Sequence, residues 1–312
     1  MPDTERPKTV SIYDDEIDVR DISRTLWSGK WLIAAVIFVT ALVAVVVAFK
    51  MPNIYRTEAL LAVNEQDNAG RFSSVASQYG GLASLAGINL NGGSIDKIEV
   101  GLATLKSRRF LSAFIARHDI LVPLMAADGW DAETGKLIID RDTFDPTTME
   151  WTRSVRPPKT PTPSAQEAYE AFVDILSISR DRSSGFVTVA ITHVSPTIAK
   201  QWVDWLIQDL NSSIMREDVE EAERAIKYLN DQIENTSLAQ LQSVFFNLIE
   251  EQKKIMMLAA VSPEYMFKTI DPPVVPERKA RPNRAMIVAV GALFGLVLGA
   301  SIAIFRSGGR GP

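Results

Sequence analysis

Trp31 to Phe49 reads WLIAAVIFVTALVAVVVAF, and Ala285 to Phe305 reads AMIVAVGALFGLVLGASIAIF. The first run is 19 residues long with Thr40 its only clearly polar member; the second is 21 residues long with Ser301 in that role. At a helical rise of about 1.5 Å per residue, each crosses a hydrocarbon core of roughly 30 Å. Neither carries the polar stripe of a core helix. Lys50-Met51-Pro52-Asn53 follows the first run and is not a small-residue signal-peptide cleavage site. The two runs therefore read as transmembrane helices at 31–49 and 285–305. They flank a polar domain at 50–284, with short tails at 1–30 and 306–312.

Charge sets the expected orientation. Arg24 and Lys30 precede the first span, and Arg306 and Arg310 follow the second. Arg278, Lys279, Arg281 and Arg284 crowd the other side of the second span, but the positive-inside bias weakens for long loops. Both tails are thus expected in the cytoplasm. The large domain then lies outside the inner membrane, in the periplasm of a Gram-negative cell. The chain has no cysteine, so packing alone must hold this domain, and thiol catalysis and thiolate metal sites are excluded. A formal charge of −5, spread along the chain, argues against a nucleic-acid platform.

Within the tail, Ile17, Ile22 and Leu26 predict a short amphipathic helix with an acidic start. Tyr55–Val63 predicts a strand, and residues 73–93 form a stretch rich in glycine and small residues. A helical pattern then runs from Ile95 toward Ile120, burying Leu102, Leu105, Phe110, Leu111, Phe114 and Ile115. Residues 123–165 read mostly as loop, with a short strand at 136–139. A short helix over 166–173 precedes two strands, 175–181 and 185–194, joined at Arg182-Ser183-Ser184.

The longest signal starts at Ser195-Pro196, with Ser at N-cap and Pro in the first turn. It continues to about Glu234. Val219, Ala222, Ile226, Leu229 and Ile233 follow 3-4-3-4 spacing, a coiled-coil-like seam. After a break at Asn235-Thr236-Ser237, a second seam of Leu238, Leu241, Phe245, Leu248 and Ile255 returns antiparallel. The result is a long helical hairpin over about 195–260, with apolar edge left for a second copy. Phe267–Val275 predicts a strand that joins the base sheet. Glu217, Asp218, Glu220, Glu221 and Glu223 fan around the long helix, and a solvated face is expected there.

No catalytic constellation is visible. His118 and His193 are the only histidines and fit no metalloprotease spacing; no nucleophile elbow or phosphate-binding loop is present. The reading calls for no catalytic residue, no cofactor and no metal. One membrane feature is more specific. Gly291, Gly295 and Gly299 fall four apart and line one face of the second span, a spacing that lets helices approach closely. The partner would be the first span or another subunit.

Five stretches together resemble the Wzz-type polysaccharide co-polymerases, the O-antigen chain-length determinants. They are Ile17-Asp18-Val19 through Trp27-Ser28-Gly29-Lys30-Trp31; Gly80 to Leu90 (GGLASLAGINL); and His193-Val194-Ser195-Pro196 with Ala199, Trp202 and Asn211. The last two are Leu248-Ile249-Glu250 with Gln252 and Lys253, and a proline-rich junction of Pro273, Val274, Val275, Pro276, Pro282 and Arg284. Asn283 departs from the family pattern, which often has a basic residue there. The tail of seven residues after the second span resembles the kinase-free class and leaves no room for a signalling domain, which disfavours a transmembrane sensor.

The resemblance implies an α+β membrane protein, with two transmembrane helices flanking a periplasmic α/β base and an extended helical hairpin. It implies a homo-oligomer that works with a membrane polysaccharide polymerase on a lipid-linked glycan and sets its modal length, without being an enzyme. O-antigen is the preferred glycan; a capsule or exopolysaccharide co-polymerase partnered with a separate kinase is the alternative.

Overall fold

The computed structural model describes residues 27, 29–64, 97–236 and 238–308. The acidic stretch with Ile17, Ile22 and Leu26, the glycine-rich segment 73–93, Ser237 and the final residues lie outside these. The chain divides into two compact units, Met1–Met51 with Pro282–Pro312, and Pro52–Arg281. It is an α+β chain with one apolar helix near each end.

In chain order, α1 (Lys30–Lys50) is the first apolar helix. The second unit begins with β1 (Tyr55–Val63). Helices α2 (Lys97–Lys106) and α3 (Arg108–Arg117) follow. The helical pattern read from Ile95 toward Ile120 is broken here at Ser107. Ser107 adopts an extended backbone (φ −70°, ψ 145°), and its hydroxyl accepts from the Phe110 N–H to cap α3.

A one-turn helix, α4 (Leu121–Met125), leads into two small antiparallel ribbons. These are β2 (Ala127–Trp130) with β3 (Leu137–Ile139), and β4 (Phe144–Asp145) with β5 (Glu150–Trp151). The region expected mostly as loop is thus more ordered than its composition implies. Asp131, Asp140 and Asp145 each accept a backbone N–H two residues on, and Thr134 and Thr143 donate their hydroxyls to the first two. These carboxylates build the turns.

Helix α5 (Ala165–Ile175) starts in a full capping box, Ser164 with Glu167. Strands β6 (Leu176–Arg180) and β7 (Val187–His193) form a hairpin, and α6 (Pro196–Glu234) runs 39 residues, about 58 Å. Helix α7 (Ala239–Val261) returns beside it, and β8 (Phe267–Asp271) closes the base. The main sheet has the order β6-β7-β1-β8, every pair antiparallel.

Register explains the core. Thr57, Ala59 and Leu61 on β1 pair with Ile191, Val189 and Val187 on β7, so alternate residues of both strands point one way. Onto them pack Trp202, Val203, Leu206 and Leu210 of α6, Leu111 and Phe114 of α3, and Phe172 of α5. All of these side chains are essentially buried. A second, smaller cluster of Leu229, Phe245 and Ile249 lies within the hairpin.

The first unit is completed by α8 (Arg284–Gly308). Only 6% and 17% of the most apolar windows of α1 and α8 are buried, so neither is the core helix of a soluble domain. Trp31, Phe38, Leu42, Leu293, Phe294 and Phe305 all stand exposed. A lipid bilayer is the environment in which such surfaces are stable.

Candidate functional site

The glycine stripe of the second span faces the first span. A Cβ built on Gly291 would lie 2.6 Å from the Ala44 methyl carbon. One on Gly295 would lie 2.9 Å from the Ile37 Cα and collide with the Thr40 hydroxyl. One on Gly299 would lie 3.0 Å from the Ile33 Cα. Residue numbers fall along α1 as they rise along α8, so the two helices are antiparallel. Ala303 is buried one further step of four along the stripe. Thr40 answers with its hydroxyl donated back to its own helix, 3.0 Å from the carbonyls of Val36 and Ile37. It therefore exposes no unpaired donor to the apolar contact.

Arg284 fastens one end of this pair. Its Nε donates to the Ala48 carbonyl at 3.2 Å, and its guanidinium lies 4.9 Å from the centre of the Phe49 ring. Pro282 stands two residues before α8, where it cannot extend the helix backward. In the other unit, Pro273 is buried and Pro276 half-buried on an extended stretch after β8. That stretch ends where Arg281 bridges to Ile54, which leads into β1.

The base is locked by the start of α6. Ser195 caps the helix, accepting from the Ile198 N–H. His193 is 7% exposed, and its Nδ1 accepts the Ser195 N–H at 3.1 Å. Its Nε2 therefore carries the proton and donates to the Pro123 carbonyl at 2.9 Å. Burial holds its pKa below the ordinary value; the bonds to Pro123 and Ser195 act in the opposite sense. The ring packs 4.8 Å from Trp202.

Four turns along, Asn211 is 2% exposed and ties β8 to the helix. Its Oδ1 accepts the N–H groups of Met266 (2.9 Å) and Phe267 (2.8 Å), and its Nδ2 donates to the Phe267 carbonyl (3.0 Å). Ala199 is fully buried between these two points.

The seam of α6 divides in two. Val219 packs on the base core. Ala222 is fully buried, and Leu229 with its neighbours Ile226 and Ile233 meets Leu241, Phe245, Leu248 and Ile249 of α7. Ala222 and Leu229 are thus covered within the chain, while Val219, Ile226 and Ile233 stay partly buried. The apolar side chains left exposed on the hairpin are others, among them Tyr228, Phe246 and Met257. Of the acidic run expected on a solvated face, Asp218 departs, because its carboxylate accepts the Tyr265 hydroxyl at 2.8 Å.

Residues 15–118 match the family model for Wzz, chain length determinant protein. Over those residues the chain is similar to the Wzz family. The matched segment covers about a third of the sequence, from the N-terminal tail through α1, β1 and α3. Among solved structures, one described as a full-length bacterial polysaccharide co-polymerase is 14% identical, with a TM-score of 0.39, over 94% of this chain and 98% of that one. A fragment of WzzB, polysaccharide co-polymerase from Salmonella Typhimurium, is 15% identical with a TM-score of 0.27, over 73% of this chain and 100% of that one. No curated protein matches the chain.

The matched segment ends at His118, where α3 is fixed to α6. His118 is the C-cap of α3, and its ring stacks on Trp205 at 4.3 Å and 10°. Its Nε2 lies 3.1 Å from Asp209 Oδ2, and Arg117 reaches the same oxygen at 2.9 Å. The first half of α6 thus receives the end of the matched segment through one shared carboxylate. Asp209, which completes this contact from 91 residues away, carries no local motif in the sequence.

A second ionic knot holds the start of α5. Glu167 accepts both terminal nitrogens of Arg153, at 2.9 and 3.1 Å, and Lys159 at 3.1 Å. Arg153, the Ser164 N–H and Lys159 together hold the Glu167 carboxyl at about 2. In the β6–β7 turn, the hydroxyl and N–H of Ser183 and the Ser184 hydroxyl bring Asp181 down to about 2. Both groups are structural.

Proposed function

We propose that this chain is a non-catalytic scaffold that sets the modal length of a lipid-linked surface polysaccharide, with lipopolysaccharide O-antigen the preferred glycan. The observation that carries the reading is the Wzz match over residues 15–118. The two mutually packed apolar helices and the mixed domain between them suit that role: an inner-membrane anchor with the large domain in the periplasm. Copies of the chain would assemble around or beside the membrane polymerase, and the growing glycan would be their shared substrate. The packed glycine face between α1 and α8 keeps the anchor a single rigid piece.

The test is a deletion strain. Gel analysis of its lipopolysaccharide should show the same repeat unit with the preferred length lost, and plasmid-borne protein should restore it. Loss of the repeat unit, with polymerase and ligase intact, would contradict a regulator. An altered capsule or exopolysaccharide beside unchanged lipopolysaccharide would move the role to that glycan.

A further inference from the structure

A groove of about 780 Å³ runs between α2 and α3 on one side and α6 on the other. That volume lies in the range of small-ligand sites. Its apolar lining includes Phe110 and Phe114, both buried, and its rim is charged. Arg117 and Arg224 are already paired, with Asp209 at 2.9 Å and with Glu220 at 3.8 Å. Arg109 and Arg216 also line the groove, and among the described residues neither has an ion-pair partner.

Arg109 stands in the first turn of α3 beside Arg108, and that turn contains no acidic residue. Two cations at the positive end of a helix dipole repel it, and among the described residues no ion pair compensates Arg109. Arg108 turns away, 5.5 Å from the Tyr169 ring centre, and leaves Arg109 to the groove. The far wall is stiff, because Asp209 holds Arg117 and His118 together and His118 stacks on Trp205.

We propose that this groove binds an anionic sugar, one bearing a carboxylate or a phosphate. Arg109 and Arg216 would grip the anion, since guanidinium forks match carboxylate and phosphate oxygens. Glu217 lies on the same lining and would accept sugar hydroxyls, which bare phosphate does not supply in number. The mixed lining therefore fits an acidic saccharide better than a free anion. The identification of this ligand with the protein's own glycan rests on the function proposed above; the site itself does not.

The experiment is calorimetry on the full-length protein in nanodiscs. The probes are a hexasaccharide of alternating glucuronate and N-acetylglucosamine, glucose 1-phosphate, neutral maltohexaose and inorganic phosphate. At least one of the first two should bind, and which one does assigns the anion to carboxylate or phosphate. Arg109→Gln and Arg216→Gln should each weaken that binding about tenfold or more. Arg182→Gln, in the exposed β6–β7 turn, should leave it unchanged. Both groove arginines are exposed, so these variants should keep the wild-type melting temperature.

Maltohexaose or inorganic phosphate binding as tightly as the acidic sugars would overturn the proposal. So would acidic-sugar binding that both arginine variants retain in full. Failure of every probe, with Arg216→Gln lowering the particle mass by light scattering, would show the groove to be a contact between copies and overturn it too. Calorimetry does not depend on glycan length in cells, so a failed site and a failed chain-length role remain distinguishable.

Discussion

At the scale of single residues, the motif that carried the family resemblance turns out to be a set of hydrogen bonds. Asn211 satisfies three backbone groups of Met266 and Phe267 at once, in a place water does not reach. Asn211→Ala would strand two donors and one acceptor, a loss on the order of 3 kcal/mol. Asn211→Asp keeps the acceptors but loses the donor to Phe267 and adds a buried charge, so it should be at least as damaging near neutral pH. Chemical denaturation of the detergent-solubilised protein measures both. Equal stability of wild type and Asn211→Ala would show that β8 is held by other means.

His193 makes the second residue-scale expectation. Its folded pKa is lowered by burial, so the unfolded chain binds the proton more readily. Stability from this group is present above its ordinary value near 6.5 and is lost as pH falls toward the lowered one. The melting temperature should therefore drop between pH 7.5 and pH 5.5, and His193→Gln should flatten that slope. An identical slope in the variant would assign the acid sensitivity elsewhere. The carboxyls of Glu167 and Asp181 act later. Their stabilisation is complete above the ordinary carboxylate range and is lost only as pH falls toward about 2.

At the scale of elements, what the sequence revealed depended on how local each signal was. Ser195-Pro196 and the run to Glu234 announced α6 because cap, first-turn proline and periodicity are all local. The break at Ser107 was hidden, because Leu105, Phe110, Leu111 and Phe114 keep burying the same core across it. The ribbons of residues 127–151 were hidden for a different reason. Their strands are only two to four residues long and are organised by aspartate turns instead of an apolar alternation. Asp209 and the groove beside it depend on residues 91 apart coming together, which no window of sequence shows.

The hairpin allows a direct check at this scale. Leu229 is 6% exposed and meets Phe245 and Ile249, so Leu229→Ala should cost about 2–4 kcal/mol in the hairpin. Hydrogen exchange should show faster opening of α6 beyond about residue 220 and of α7. The base sheet should exchange at its wild-type rate, because its core is a separate cluster. Loosening of the whole second unit would mean that hairpin and base unfold as one.

At the scale of the whole molecule, length control needs an anchor that stays packed. Gly295 is the tightest point of the span pair, and a larger side chain there must push α1 away from α8. Gly295→Leu should disturb length control while the protein still inserts and accumulates. Leu298→Ala, off the stripe and partly exposed, should be nearly silent. Normal profiles for both at equal expression would mean that the glycines are ordinary membrane-helix composition.

Control of length by this chain is best measured with purified parts. The cognate polymerase and its lipid-linked repeat units would be placed in proteoliposomes with and without this protein, and the product sized by gel. With the chain present, the products should gather around a preferred length, and without it they should decline broadly from short to long. The same broad distribution in both preparations, with the protein shown to be inserted and folded, would contradict control of length by this chain.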